Sequence, residues 1–140
     1  MAISGGKMSM SGDYWDYVNA LSYALAKGTP KTPQRFTGDP MQWHQAMYEL
    51  LPRYKDRLPV FRHIVFDTTP GRQPFSAEVD HFLHVLAQSR LLSALNTAYA
   101  VFEFSDKQKE TIIRLNEKRV KQYEGVLEEL GRELAAKVLV

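Results

Sequence analysis

"KGTPKTPQRFTGDP", residues 27–40, separates two apolar stretches of helical period and holds one apolar side chain, Phe36, among its prolines and glycines. Proline pushes the residue before it toward extended backbone, so Thr29-Pro30 and Thr32-Pro33 predict a polyproline-like segment. Gly28 reads as a helix stop, because glycine just past a helix takes the left-handed conformation cheaply. Asp39-Pro40 reads as a helix start: the aspartate caps free N–H groups, and proline at the first helical position sacrifices none. The stretch is then a hinge between two helices. Its residues 29–39 extend to about 34 Å at polyproline rise. This reading decides the fold, since a hinge makes residues 1–58 an arm and leaves residues 59–140 as the body.

Working outward, helical period dominates. Tyr14, Tyr17, Val18, Leu21, Ala24 and Leu25 recur at three- and four-residue steps before the hinge. Trp43, Met47, Leu50, Leu51 and Tyr54 do so after it, with a kink or break expected at Pro52. Residues 60–66 read as a short helix, with a strand as the alternative, and "DTTPGRQP", 67–74, reads as a loop. Ser76 caps a predicted helix running to about Glu103, with Val79, Phe82, Leu86, Leu92, Leu95, Tyr99 and Phe102 inward. Ser105 to Gln108 forms the S-x-x-Q of a capping box. A last helix is expected to about Val138, with Ile112, Ile113, Val120, Val126, Leu127, Leu130, Leu134 and Val138 as its apolar stripe. Glu117/Lys121 and Glu128/Arg132 stand four apart on its outer face, and Gly125 and Gly131 weaken it locally. As one helix it would span about 50 Å at 1.5 Å per residue, against a radius of gyration of about 14 Å for a compact chain of this size. The expected fold class is all-α: a helix–hinge–helix arm, then a helical bundle ending in two long antiparallel helices.

At 140 residues and 44% hydrophobic composition the chain has material for one domain with a core. With no cysteine there is no disulfide, thiolate metal site or thiol nucleophile. Residues 1–13 lack the apolar run of a signal peptide, and no stretch approaches the roughly 20 apolar residues of a transmembrane helix.

The motifs name no reaction. "SGGKMS" lacks the upstream glycine spacing and the Ser/Thr after Lys7 that a phosphate loop needs, and no Gly-x-Ser-x-Gly occurs. Glu78, His81 and His84 fall within about a turn of one another, and Glu-x-x-His is half of a di-iron carboxylate pattern. No second copy exists, because Glu49 is followed by Pro52 and Glu103 by Asp106, so no metal or other cofactor is expected. His44 and His63 read as ordinary helix-face residues. Pro30 and Pro33 match the short PxxP pattern of SH3 ligands.

Charge is more informative. The net charge is +2, but residues 1–63 hold eight Lys/Arg against five Asp/Glu, and residues 64–140 hold ten against eleven. Lys7, Lys27, Lys31, Arg35, Arg53, Lys55, Arg57 and Arg62 are the candidate nucleic-acid contacts, with Trp15, Tyr23, Phe36 and Trp43 near them in sequence. Such cations on extended backbone suit a phosphate chain, where affinity comes from counterion release and not from base reading. The competing reading is a solvated linker and helix face.

In length and layout the chain resembles the α-helical major coat proteins of filamentous archaeal viruses, the rudivirus, lipothrixvirus and tristromavirus group. The resemblance lies in the basic N-terminal arm, the proline-interrupted helical hairpin and the helical body, and spans the chain. Lack of cysteine and only three asparagines, Asn19, Asn96 and Asn116, fit a hot environment. It implies a non-enzymatic structural protein of the virion, assembled in the host cytoplasm. Such a protein wraps linear double-stranded DNA without sequence preference through the eight cations and stacks into a helical filament. Its partners would be DNA, further copies or a paralogous coat chain, and in some members an envelope membrane, with no small-molecule substrate. The alternative is a small all-α binding module or accessory subunit of a nucleic-acid or protein complex.

Overall fold

The first helix is buried on nearly every side, which no projecting arm would be. The computed structural model describes residues 16–29, 34–88, 93–94 and 101–139. Helix α1, Tyr17–Gly28, buries Val18, Leu21, Tyr23, Ala24 and Leu25, and also the small Ala20, Ser22 and Ala26 that would have faced solvent on an amphipathic helix. Asp16 caps it, its carboxylate accepting Asn19 N–H at 3.1 Å. The other α-helices among the described residues are α2 (Pro40–Leu50), α3 (Ala77–Gln88), α4 (Asp106–Asn116) and α5 (Glu124–Val138). The fold is mostly helical, and α1 packs chiefly on α5 and also on α4, while α2 packs on α5 and α3.

Three features depart from the sequence-based expectation. First, residues 34–37 are a strand. Strands β1 (Gln34–Thr37), β2 (Ser93–Ala94) and β3 (Val101–Phe104) form an antiparallel sheet in the order β1-β3-β2. The register pairs Phe36 with Phe102 and Arg35 with Glu103. Residues 34–37 of the expected hinge are therefore a sheet edge tied to β3, a small addition to a fold that is otherwise helical as expected. Second, the helix beginning after Ser76, described as Ala77–Gln88, does not reach Glu103, because residues 93–94 and 101–104 are strands. "VFEF" carries the aromatic and β-branched residues that suit a pleated surface. Leu92, Leu95 and Tyr99 lie outside the described residues. Third, the last helix is two. Residues 117–120 turn, 121–123 form a short 3-10 segment, and α5 follows. The Asn116 side chain donates to Ile112 O at 2.9 Å and Arg119 to Leu115 O at 3.1 Å, so side chains satisfy carbonyls that end α4. The break lets α4 and α5 both lie against α1, where one 50 Å rod would overshoot it.

One core results. Phe36 and Trp43 from the presumed arm, Phe61 and Ile64 from the connection, and Phe82, Phe104, Leu127 and Leu130 from the presumed body belong to the same buried cluster. Phe36 lies 6.1 Å from Trp43 and 6.2 Å from Phe104 between ring centroids, and Trp43 donates its indole N–H to Thr37 O at 2.7 Å. A boundary at residue 58 therefore cuts through packed side chains. Among the described residues no helix is long and apolar enough to cross a membrane.

Candidate functional site

Six of the eight candidate cations are described; Lys7 and Lys31 lie outside the described residues. Lys27 is half-buried in the last turn of α1, where a cation suits the helix dipole. Arg35 reaches across the sheet to Glu103, Nε to Oε1 3.8 Å. Lys55 donates from Nζ to Ile64 O at 2.9 Å. Arg62 is exposed on the 3-10 segment Pro59–His63.

Arg53 and Arg57 are committed to α5. The chain leaves α2 through Pro52, and the turn that follows buries Tyr54 completely. Its hydroxyl lies between two carboxylates of α5, donating to Glu129 at 2.9 Å and contacting Glu133 as well. Arg53 Nη2 meets Glu133 at 2.8 Å and Arg57 Nη2 meets Glu129 at 3.6 Å, while both guanidiniums sit over the Tyr54 ring, 5.8 and 4.9 Å from its centroid. Burial, with help from the two carboxylates, pushes the Tyr54 hydroxyl far above the usual tyrosine range. The Tyr54 hydroxyl, then Arg53, hold the Glu133 carboxyl below the usual carboxylate range. The ion pairs are half-exposed and each adds little stability, but they pair off the charge of the basic run.

The metal candidates diverge. Glu78 Oε1 accepts Val65 N–H at 3.0 Å and the Ser76 hydroxyl at 3.2 Å. His81 packs edge-on against Tyr17, and His84 Nδ1 lies 2.9 Å from Asp80 O. No group of three His, Asp or Glu side chains placed to hold a metal occurs among the described residues.

An open cleft of about 690 Å³, mostly apolar in its lining, gathers three segments far apart in sequence. Asp16 and Tyr17 come from the start of α1, Leu58, Pro59, Val60 and His63 from the connection between α2 and α3, and Arg119, Gln122 and Tyr123 from the α4–α5 junction. Its volume falls in the range of ligand-binding clefts. The polar groups of the lining residues are an acid, an imidazole, a guanidinium, an amide and the hydroxyls of Tyr17 and Tyr123.

No family model, curated protein or solved structure matches the chain.

The weight of the site therefore rests on geometry. Sequence reasoning missed the cleft because its walls carry no motif. Tyr17 read as part of a core stripe and His63 as an ordinary helix-face residue. The one usable signal was Pro59, which starts the short segment that forms a wall.

Proposed function

We propose that this protein is a small, non-enzymatic helical binding module, an accessory subunit that takes an apolar segment of a partner protein into the cleft beside α1. The observation that carries the reading is the cleft itself: Leu58, Pro59, Val60, Tyr17 and Tyr123 give an apolar bed, with His63 and Arg119 to fix a polar end. Peptide display against the immobilised protein tests it. Selected peptides should share one or two large apolar anchors and lose binding at least tenfold when Val60→Asp places a charge in the bed. A selection that yields no consensus, or peptides indifferent to Val60→Asp, sinks the reading.

A second reading, the DNA-wrapping coat protein implied by the resemblance, draws its support from the positive balance of residues 1–63 and from exposed Arg62. It has less support from geometry, because α1 is a core helix and Arg35, Arg53 and Arg57 pair with carboxylates of the same chain. On this reading the protein binds duplex DNA of any sequence, weakening steeply as salt rises, and forms filaments of uniform width only with DNA. Electron microscopy with and without linear duplex separates the two readings.

A further inference from the structure

His44 sits on α2, 1% exposed. Its Nδ1 accepts the backbone N–H of Ser76 at 3.2 Å. An accepting ring nitrogen carries no proton, so the neutral ring holds its proton on Nε2. That Nε2 is buried and has no hydrogen-bond partner among the described residues. The ring face stacks on Phe75, centroids 4.8 Å apart and planes 24° apart.

Ser76 joins this histidine to everything nearby. Its hydroxyl accepts Val79 N–H at 3.2 Å, capping α3, and donates to Glu78 at 3.2 Å. Glu78 in turn holds Val65 N–H at 3.0 Å. Between these two ends, Asp67 and Phe75 exchange backbone hydrogen bonds of 2.7 and 3.1 Å. Residues 64–76 thus form a strap fastened at Val65 by Glu78 and at Ser76 by His44.

The fastening at Ser76 has one protonation state. A proton on Nδ1 would set N–H against N–H, turning the bond into a repulsion, and would leave a cation on a buried ring. The charged groups of the elements around the ring do not offset this. Asp80, from α3, favours the cation but is outweighed by burial, which holds the ring below its ordinary value of 6.5. Glu78 is committed to Val65 and Ser76, and Lys137 of α5 pairs with Glu49 of α2 at 2.9 Å. Asp67 and Arg72 on the strap are exposed.

We propose that His44 is an acid-sensitive latch: neutral, it holds the strap 64–76 closed, and protonated, it leaves its site, freeing Phe75 and Ser76 while the α1–α5 core stays folded. The sign follows from the depressed value. The closed state is fully favoured above the free-imidazole pKa and loses ground as pH falls below it.

Amide hydrogen exchange by NMR, corrected for intrinsic rates, tests the latch. Between pH 7.5 and 5.5 protection at Val65, Asp67, Phe75 and Ser76 should fall about tenfold, the factor for a group of pKa near 6.5 that ionises only when open. Protection at Leu25 and Leu130 should hold. In His44→Gln, whose amide oxygen can take the Ser76 N–H without titrating, strap protection should not vary with pH. Strap protection that is flat with pH in the native protein, or that falls equally in the variant, overturns the proposal. Should the variant not fold, the native ring decides: titration of His44 at 6.5 with no movement of the Phe75 and Ser76 signals overturns it equally.

Discussion

The crossing of α1 and α5 depends on two missing side chains. A Cβ on Gly131 would overlap the carbonyl of Ala24, and one on Gly28 would overlap the backbone of Gly131 and Arg132. Gly28 is thus the last residue of α1 and a contact with α5, and not the left-handed stop that its position suggests. Gly131→Ala should destabilise by about 3 kcal/mol or more, since backbone cannot yield as a side chain can. Gly125→Ala has open space around it and should stabilise by about 0.5 kcal/mol through the unfolded chain. Urea denaturation of both variants checks the pair, and equal effects would contradict the crossing described here. Tyr54 offers a second residue-scale test. Tyr54→Phe keeps the ring and removes the hydroxyl that lies between Glu129 and Glu133, at a cost of about 1 kcal/mol because those carboxylates can rehydrate. The folded Glu133 carboxyl is depressed, so its contribution is present above its unfolded value near 4.5 and lost as pH falls through the lower folded one. The variant should therefore lose part of the native decline in stability below about pH 4.5, seen as a flatter acid limb in urea midpoints.

At the scale of elements, the stretch 34–37 separates a hinge from a strand. Phe36 is fully buried between Trp43 and Phe104, whereas Arg35 is mostly exposed and meets Glu103 at the edge of its reach. Phe36→Ala should cost about 3–5 kcal/mol, and Arg35→Ala about 0.5 kcal/mol or less. Thermal or urea midpoints measure both, and a mild Phe36→Ala would return the segment to a solvated linker. Local signals served well wherever the chemistry is local. Asp39 caps α2 through Met41 N–H at 3.0 Å, and Ser105 and Gln108 form both halves of their capping box. Ser76 caps α3 as its position suggests. The sheet was illegible because its pairing joins residues 34–37 to 101–104, and each four-residue strand is too short to outweigh helical period beside it. The break between α4 and α5 carries neither proline nor glycine. Tertiary packing against α1 decides it, and no sequence window contains that.

For the whole molecule, the decisive quantity is where the core lies relative to the chain. Helix α5 buries Leu127, Leu130, Gly131, Leu134, Ala135 and Val138, and its chief neighbours are α1 and α2, both from before residue 58. A fragment of residues 59–140 would expose that whole face while keeping the entropy cost of ordering its own chain. At about 25 cal/mol per Å², the apolar area uncovered outweighs the few kcal/mol that separate a small domain from its unfolded ensemble. Expressed alone, the fragment should show the collapsed amide dispersion of an unfolded or molten chain. Adding a peptide of residues 16–58 should restore the native spectrum, because the missing partners of α5 lie there. A well-dispersed spectrum for the fragment alone would mean that the front of the chain can detach, and would bring back the arm that a DNA-wrapping coat protein needs.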